Sequence, residues 1–362
     1  MKETSKTGLV LEGGGLRGMF TCGVLDVMMD NGITFDGAVG VSAGAAFGVN
    51  IKSGQRGRAL RYNLLMAGDK RYMSMRSLIF TGNLFNAEFC YHTVPCKIDI
   101  FDGEAFANNP MEFILVCTDI LTGEPVYHVM DHVDYDELEW IRASASLPLV
   151  AQPVHVDGQV LLDGGLTDSI PLKFMQERGY ERTVTILTQP LGYRKTLTKH
   201  LGLMKFATRN YPKVYECLLK RPDMYNGQLD YVMNEAKQGR TLLIAPTEKL
   251  DVGRVEMKRE KLQKVYDEGR RVCEAMLPKI REYLDPLYSP CLGGRIKIDE
   301  QVLPLSRGNE GVSSEPHAII DTAFPIGVLD GEFITVTDPV SLKHTHKANV
   351  IVSARVDGTQ AA

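Results

Sequence analysis

The chain has 362 residues, of which 44% are hydrophobic and 24% are charged, and its formal net charge at pH 7 is −4. This composition is typical of a globular protein with one large domain or two smaller ones, whose core needs no stapling by disulfides. The negative balance argues against a nucleic-acid partner for the chain as a whole, so we expect none.

The first predicted elements alternate between strand and helix. An apolar run at residues 9–11 predicts a buried strand, and apolar residues at helical spacing predict a helix over 19–29. Residues 38–41 predict a second buried strand, and a helix is predicted over 43–49. This order favours an α/β fold with a central, parallel-type sheet flanked by helices.

The later elements follow from the same patterns. Further strands are predicted at 112–117, 126–129, 159–162, 183–187 and 241–245, and helices at 135–145, 172–177 and 254–284. Residues 196–238 have a helical pattern that Pro212 and Pro222 should interrupt. The chain is therefore divided into a core over 7–190, a mainly helical continuation packed on it over 191–290, and a β-rich or loosely ordered tail of unknown role over 291–362.

The seven cysteines and the chain's first residues bear on its compartment. The cysteines are odd in number, irregularly spaced and without a C-x-x-C pair, which is typical of reduced thiols in the cytosol. Residues 1–7 lack the apolar stretch of a secretory signal. The longest uncharged stretch, residues 37–51, is too short to span a bilayer. We therefore expect a cytoplasmic protein whose membrane contact, if it has one, is peripheral.

Charge is unevenly distributed along the chain. Residues 52–76 contain seven basic residues and one acidic residue, and residues 194–221 contain eight basic residues and one glutamate. The segment between them, residues 88–139, has twelve acidic residues and a single lysine. The charge of each segment, taken by itself, is explained if the segment lies on the solvated surface. The two basic segments together also fit a rim that contacts the anionic headgroups of a membrane.

A glycine run follows the first strand directly. Residues 13–18 read Gly-Gly-Gly-Leu-Arg-Gly, and clustered backbone N–H groups of this kind bind anions. The run also matches the G-x-G-x-x-G of dinucleotide-binding proteins, with Asp36 at a suitable distance. Asp36, however, precedes the second strand, whereas the acid that binds the ribose should follow it. A dinucleotide-binding protein of Rossmann type is therefore kept as an alternative.

A serine stands between the second strand and the next helix. Gly40-Val41-Ser42-Ala43-Gly44 matches G-x-S-x-G, in which small residues let neighbouring backbones pass close to a sharp turn that presents a nucleophile. The partial positive charge of the helix N-terminus would favour a developing oxyanion. A serine that simply caps the helix explains the pattern alone equally well.

A nucleophilic serine needs a base, and the histidines stand in no convincing motif. His155 has the nearest context, but a lone histidine in a strand is more often structural. Asp163 ends the apolar strand over 159–162 and is followed by Gly164-Gly165. This order holds a carboxylate at a strand tip where another backbone can approach, although an ordinary Asp-Gly turn has the same sequence.

These blocks together resemble the patatin-like phospholipase family. Gly13 to Gly18 match the family's oxyanion motif G-G-G-x-[RK]-G, Ser42 lies in its nucleophile elbow, and Asp163 begins its D-G-[GA] motif. Residues 143–148, Ala-Ser-Ala-Ser-Leu-Pro, resemble a fourth block of that family. The resemblance covers about residues 7–190 and implies a patatin-like variant of the α/β-hydrolase fold.

The resemblance implies a serine acyl hydrolase of the phospholipase A or lysophospholipase kind that works through an acyl-enzyme. Ser42 would be the nucleophile and Asp163 its partner in a Ser-Asp dyad without histidine. The implied supporting residues are Gly13, Gly14, Gly15 and Arg17 in the oxyanion hole, Gly40 and Gly44 in the elbow, and Gly164 and Gly165 after the aspartate.

The expected ligands follow from this reading. They are a lipid or lysolipid substrate and, as a peripheral contact, an anionic membrane surface. No cofactor is expected, and no metal, since no cluster of His, Cys and Asp has ligand spacing. A catalytically silent lipid-binding module on the same fold is the second alternative.

Overall fold

A computed structural model describes residues 5–197 and 201–285, together with the short strands at 328–329 and 332–333. The strands are β1 (Lys6–Leu11), β2 (Gly37–Val41), β3 (Glu112–Asp119), β4 (Pro125–Met130), β5 (Val154–Val156), β6 (Gln159–Asp163), β7 (Tyr180–Ile186), β8 (Thr241–Ile244), β9 (Val328–Leu329) and β10 (Glu332–Phe333). The first eight form one sheet, whereas β9 and β10 pair with each other. The predicted tail otherwise lies outside the described residues.

Helices cover both faces of the sheet. They are α1 (Met19–Asp30), α2 (Ala43–Lys52), α3 (Arg58–Met66), α4 (Met75–Thr81), α5 (Gly103–Asn108), α6 (Tyr135–Ser144), α7 (Leu172–Glu177), α8 (Leu201–Ala207), α9 (Pro212–Lys237) and α10 (Arg259–Leu284). A π-helical segment spans Phe89–Ile98, and short 3-10 turns span Gly15–Gly18 and Gly164–Leu166. The α/β fold expected from the sequence is confirmed.

The sheet is mixed rather than wholly parallel. Its strand order is β5-β6-β3-β2-β1-β7-β8, with β4 on the other edge of β3. The five strands from β3 to β8 in this order run parallel, while β4, β5 and β6 are antiparallel to their neighbours. β4 follows β3 directly in the chain and returns along one edge of it. α6 lies between β4 and the antiparallel pair β5 and β6, of which β6 pairs with β3.

The pairing along β3 brings the ends of two strands together. Val41, the last residue of β2, is paired with Val116, and Asp163, the last residue of β6, is paired with Cys117. One edge of β3 is occupied by β4, whose Val126 is paired with Cys117. β2 and β6 therefore both pair with the other edge of β3, and they run toward each other. The residue after Val41 must therefore lie close to Asp163.

Side-chain alternation divides the core between the two faces of the sheet. Leu9 and Leu11 of β1 pack with residues of α1, α2, α6 and α10, whereas Val10 packs with residues of α7 and α9. Strands covered on both faces read as continuous apolar runs, which is why β1, β2 and β3 were visible in the sequence. The fold is thus a sheet between two helical layers.

Some sequence predictions were wrong. Pro222 does not break the helical stretch, because α9 continues through it; its buried side chains, among them Val214, Tyr225 and Leu229, offset the lost hydrogen bond. The helix predicted from Arg254 begins at Arg259, and residues 254–258 have no regular structure. The sequence analysis also missed α3, α4, α5, β5 and the π-helical segment. No helix among the described residues is long and apolar enough to cross a membrane.

Candidate active site

Ser42 follows β2 in a strained turn. Its backbone angles are φ 56° and ψ −122°. Residues other than glycine rarely adopt this conformation, whose strain costs about 1–3 kcal/mol. Ser42 holds the N-cap position of α2, yet its side chain makes no capping hydrogen bond. The hydroxyl is thus not committed to the helix, which disfavours the simple capping interpretation.

The two glycines of the elbow are required by close packing. A Cβ on Gly40 would lie 2.6 Å from the carbonyl oxygen of Gly44, and one on Gly44 would lie 2.4 Å from that of Leu11. Both distances are far below van der Waals contact. The turn at Ser42 is therefore wedged against the end of β1, and side chains at these positions would push it away.

The glycine run lies directly against this turn. A Cβ on Gly13 would lie 2.8 Å from the Cβ of Ser42, and Gly15 has φ +57°. Within the described residues, the N–H groups of Gly13, Gly14 and Gly15 have no hydrogen-bond acceptor, whereas that of Arg17 is donated to the Gly14 carbonyl at 3.3 Å. Three backbone donors beside the serine are thus available to an anion.

Asp163 is fully buried at the end of β6. Its Oδ1 accepts the N–H of Gly165 at 2.7 Å. Burial raises the pKa of Asp163, and the charge of Arg221, the Ser42 hydroxyl and the Gly165 N–H oppose that rise. The structure therefore brings Ser42 and Asp163 together, as the pairing along β3 requires.

The hydroxyl and the carboxylate are adjacent rather than fully engaged. Oδ2 of Asp163 makes no hydrogen bond of standard geometry with any described residue, although the Ser42 side chain is near enough to lower the pKa of Asp163. The Ser42 side chain and the Asp163 carboxylate thus share one site, and Oδ2 is available there as an acceptor.

The block at residues 143–148 supports both residues. Ser144 Oγ accepts the Ser42 N–H at 3.0 Å and donates to the Val116 carbonyl at 2.7 Å. The Ser146 carbonyl accepts the Asp163 N–H at 2.9 Å. The sequence singled out this block but assigned no role to Ser144, which ties the nucleophile's backbone to β3.

Two cavities meet at Ser42. The larger has a volume of 410 Å³ and the smaller 30 Å³. Apolar residues that line the larger one include Phe47, Tyr62, Phe85, Val94, Leu138 and Val150. Ser42, Gly15, Leu147 and Arg254 line both. Charged residues, among them Arg58, Arg142 and Lys261, also line the larger cavity. The larger cavity therefore suits a mainly apolar group and the smaller one a compact polar group.

Charged side chains dominate the smaller cavity. Those that line it are Glu12, Arg17, Asp163, Lys195, Arg221 and Arg254. Burial, together with the charges of Arg221 and Arg254, holds the pKa of Lys195 well below its usual range. Glu12 accepts hydrogen bonds from the Thr188 N–H at 2.6 Å and the Tyr225 hydroxyl at 2.7 Å, while burial raises its pKa.

Sequence reasoning missed most of this charged set. Lys195 and Arg221 belong to the basic segment that fits a solvated rim, yet both are buried. Arg221 Nε instead donates to the Gly165 carbonyl at 2.6 Å, next to Asp163. No motif marks these positions; the one available signal was Glu12, an acid between a buried strand and the glycine run.

The histidines lie elsewhere. Among the described residues that line the two cavities there is no histidine, and His155 is an exposed residue of β5. Over the same part of the chain, no three His, Cys, Asp or Glu side chains are grouped to hold a metal ion. Asp163, which contacts Ser42, is thus a candidate acid–base group for it.

Comparison with known proteins bears on this geometry. Residues 9–175 match the family model described as patatin-like phospholipase. This part of the chain is thus similar to the patatin-like phospholipases. The patatin-like region contains both Ser42 and Asp163, whereas Arg221 and Arg254 lie in residues 211–285, which match a domain of unknown function, DUF6363. Two separately defined families therefore contribute side chains to one site.

Several curated proteins are similar to this chain over part of their length. An uncharacterised NTE family protein of Mycobacterium tuberculosis is 28% identical over 170 residues, 47% of this chain and 45% of its own. The uncharacterised protein YjjU of Escherichia coli is 29% identical over 199 residues, 52% of this chain and 53% of its own. Lysophospholipase nte1 of Aspergillus oryzae is 29% identical over 181 residues, 48% of this chain and 11% of its own. The chain spans about half or less of the length of these relatives.

Proposed function

We propose that the protein is a serine hydrolase of lipid carboxylic esters, of the phospholipase A or lysophospholipase kind. The observation that carries the proposal is the strained Ser42, with an uncommitted hydroxyl, beside the buried Asp163. A patatin-like family and a lysophospholipase among the similar proteins support the same reaction class.

The reaction begins with attack on the ester. Ser42 Oγ bonds to the carbonyl carbon while its proton passes to Asp163, and the N–H groups of Gly13, Gly14 and Gly15 stabilise the oxyanion. Collapse of the tetrahedral intermediate breaks the carbon–oxygen bond to the alcohol, which leaves with the proton from Asp163. The product of this half-reaction is an acyl group on Ser42.

Water completes the cycle. It attacks the acyl carbon, gives a proton to Asp163, and the second tetrahedral intermediate releases the fatty acid as Ser42 recovers that proton. An ordinary aspartate, with a pKa of roughly 4, is a weak base at neutral pH. Burial raises the pKa of Asp163, which brings its basicity closer to that needed for proton transfer at neutral pH.

The dinucleotide alternative finds no support in the position of Asp36. Its Oδ2 accepts the Thr7 N–H at 2.7 Å, at the amino ends of β1 and β2. A ribose-binding acid is needed at the carboxyl end of β2, where Ser42 lies. The acid and the glycine run are therefore at opposite ends of these strands.

Hydrolysis assays with Ser42→Ala test the proposal. The unmodified protein should cleave a soluble p-nitrophenyl butyrate and a dispersed lysophosphatidylcholine, and the variant should lose both activities by about a thousandfold or more while keeping its melting temperature. Full activity in the variant would remove Ser42 from the mechanism. A well-folded protein that cleaves no ester in a lipid panel would favour the silent lipid-binding module.

A further inference from the structure

We propose that the smaller cavity beside Ser42 is a subsite for a tetrahedral phosphate group, supplied by a lipid headgroup or by free phosphate. Only the binding of a lipid headgroup depends on the proposed function; the binding of free phosphate does not. It is carried by the side chains that four distant parts of the chain bring to one small cavity.

The charge of this cavity favours an anion. Four cationic side chains line it (Arg17, Lys195, Arg221 and Arg254), against two carboxylates. Arg221 is 7% exposed, so its charge is poorly screened by water. Lys195 is 6% exposed and its pKa is lowered by burial, and an anion beside it would favour the charged form of its amine. Glu12 already accepts hydrogen bonds from Thr188 and Tyr225. Among the described residues, the lining thus surrounds an incoming anion with more basic than acidic side chains.

The backbone adds to this preference. Gly13, Gly14 and Gly15 line the same cavity, and among the described residues their N–H groups have no acceptor. Convergent N–H groups and guanidinium groups are the common recognition elements for phosphate oxygens. The oxyanion formed at Ser42 needs only part of this donor set.

The size and position of the cavity define what it accepts. A volume of 30 Å³ exceeds the roughly 10–15 Å³ that one water molecule needs, yet it leaves no room for a second acyl chain. Ser42 lies between this cavity and the large apolar one. A substrate ester at Ser42 would therefore direct its acyl chain into the apolar cavity and its phosphate into the charged one.

Two esters that differ only by a phosphate test the lipid arm. The unmodified protein should cleave lysophosphatidic acid with a kcat/KM about tenfold or more above that for the monoacylglycerol with the same acyl chain. Lys195→Gln and Arg254→Gln should each lower this ratio by about fivefold to tenfold. Lys258→Gln is the matched control, because Lys258 lines only the larger cavity and the ratio should be kept.

Inorganic phosphate tests the same chemistry without a lipid. It should raise the melting temperature of the unmodified protein and of Lys258→Gln, and raise it less in Lys195→Gln. A phosphate effect without a preference for lysophosphatidic acid would assign the site to free phosphate. Equal cleavage of both esters and no phosphate effect would overturn the subsite. If no ester is cleaved at all, the proposed function fails and the melting experiment still decides the subsite.

A second, independent observation concerns α4. None of its residues is buried, and Ile79 and Phe80 are 73% and 78% exposed. The helix is nevertheless well capped: Ser74 Oγ accepts the Ser77 N–H at 3.1 Å, and Gly82 ends it with φ 72°. A short helix that presents two large apolar side chains to water lacks a partner for that face.

The base of α4 adjoins the apolar cavity. The Ser74 N–H donates to the Leu84 carbonyl at 3.1 Å, and the Asn86 N–H donates to the Tyr72 carbonyl at 3.0 Å. Tyr72, which precedes the helix, and Phe85, which follows it, both line the larger cavity. Whatever binds α4 would therefore lie next to the proposed acyl site.

The charge around α4 indicates the partner. Residues 69–87 contain three cations, Lys70, Arg71 and Arg76, and one acid, Asp69, which forms an ion pair with Arg71. The Arg76 guanidinium lies 5.8 Å from the centre of the Phe80 ring. Exposed apolar side chains beside a net positive charge suit the surface of a bilayer that carries anionic headgroups. We infer that α4 docks the protein on such a surface.

Vesicle sedimentation tests this docking surface. The protein should bind vesicles made of equal parts phosphatidylcholine and phosphatidylglycerol, and a double variant, Ile79→Asp with Phe80→Asp, should bind about tenfold or more weakly. Arg76→Gln should bind about fivefold more weakly. Ile100→Asp is the control, because Ile100 is 66% exposed but lies beside Gln55, beyond the far end of α2 from Ser42.

The outcomes separate docking from catalysis. Cleavage of the soluble p-nitrophenyl ester should be the same in the double variant as in the Ile100→Asp control. Vesicle binding that is unchanged in the double variant would overturn the proposal, whatever the activity. Self-association of the unmodified protein in sedimentation velocity, abolished by the same two substitutions, would assign α4 to a contact between two copies instead.

Discussion

Ser42 is held in its strained conformation by contacts from three directions. Gly13 and Gly44 let the turn pack against the end of β1, and Ser144 binds the Ser42 N–H from a position 102 residues away in the chain. The elbow itself could be predicted, because G-x-S-x-G encodes close packing in neighbouring residues. The support from Ser144 could not, since it depends on how α6 packs against β3.

Asp163→Asn should separate activity from stability. Without a base, kcat should fall by about a thousandfold. In the unmodified protein, kcat/KM should fall as the pH drops through the raised pKa of Asp163, which lies above that of an ordinary aspartate. A pH–rate profile whose acidic limb matches an ordinary aspartate, or that of another group, would contradict this assignment.

The same substitution should not lower stability at neutral pH. Because the pKa of Asp163 is raised on folding, its contribution to stability is present below the pKa of the unfolded chain and is lost as the pH rises through the folded pKa. Asparagine carries no charge at any pH. The melting temperature of Asp163→Asn at pH 7 should therefore equal or exceed that of the unmodified protein, and a marked fall would show that the ionised carboxylate stabilises the fold.

Ser144→Ala should impair positioning rather than substrate binding. It leaves the Ser42 N–H and the Val116 carbonyl without their shared partner. The free energy of unfolding should therefore fall by about 1–3 kcal/mol. We expect kcat to fall about tenfold with KM little changed. Ser146→Ala is the matched control, because Ser146 Oγ bonds only the Arg142 carbonyl within its own helix end. A rise in KM with kcat unchanged would place Ser144 in substrate binding.

At the scale of elements, the spacing of apolar residues predicted the strands and helices that are buried in the core. β1, β2 and β3 are covered on both faces, and α1 and α10 face the sheet, so their patterns were visible in sequence. The misses have the opposite character. α4 buries nothing, and β5 has three residues. The predicted break at Pro222 was wrong because the buried side chains of α9 offset the hydrogen bond that the proline removes. Local sequence patterns do not reveal that packing.

The crossing of α1 and α10 depends on two glycines. A Cβ on Gly269 would lie 2.0 Å from the Phe20 carbonyl oxygen, and one on Gly23 would lie 2.1 Å from that of Tyr266. Gly269→Ala should therefore lower the free energy of unfolding by about 2 kcal/mol or more. Thermal or urea unfolding measures this change.

A second glycine-to-alanine substitution supplies the contrast. Gly227 lies within α9, and no atom is within 4 Å of where its Cβ would be. Gly227→Ala should raise the free energy of unfolding by about 0.5–1 kcal/mol, since alanine favours the helix. Equal effects at the two positions would mean that the α1–α10 contact is looser than these distances require.

At the scale of the whole molecule, residues 211–285 are part of the structure that holds the site. They contain β8, which pairs with β7, and α10, whose Tyr266 hydroxyl donates to Asp26 of α1 at 2.7 Å. They also provide Arg221 and Arg254 to the charged cavity. The sequence predicted β8 and α10, but it could not show where lone arginines without a motif would lie.

A shortened chain tests this dependence. A variant that ends at residue 190 loses α8, β8, α9 and α10, so that one long helix is missing from each face of the sheet. It should show no cooperative thermal transition by circular dichroism and no esterase activity. A chain ending at residue 285 is the comparison. A folded and active chain of 190 residues would establish that the continuation is a separate domain.

Covalent labelling of the nucleophile tests the central claim most directly. A fluorophosphonate reagent should add one adduct to the unmodified protein, and peptide mapping should locate it on Ser42. Ser42→Ala should take up no label, and Asp163→Asn should be labelled much more slowly, because its serine has lost the base. An adduct on another residue, or equal labelling of Ser42→Ala, would contradict the account.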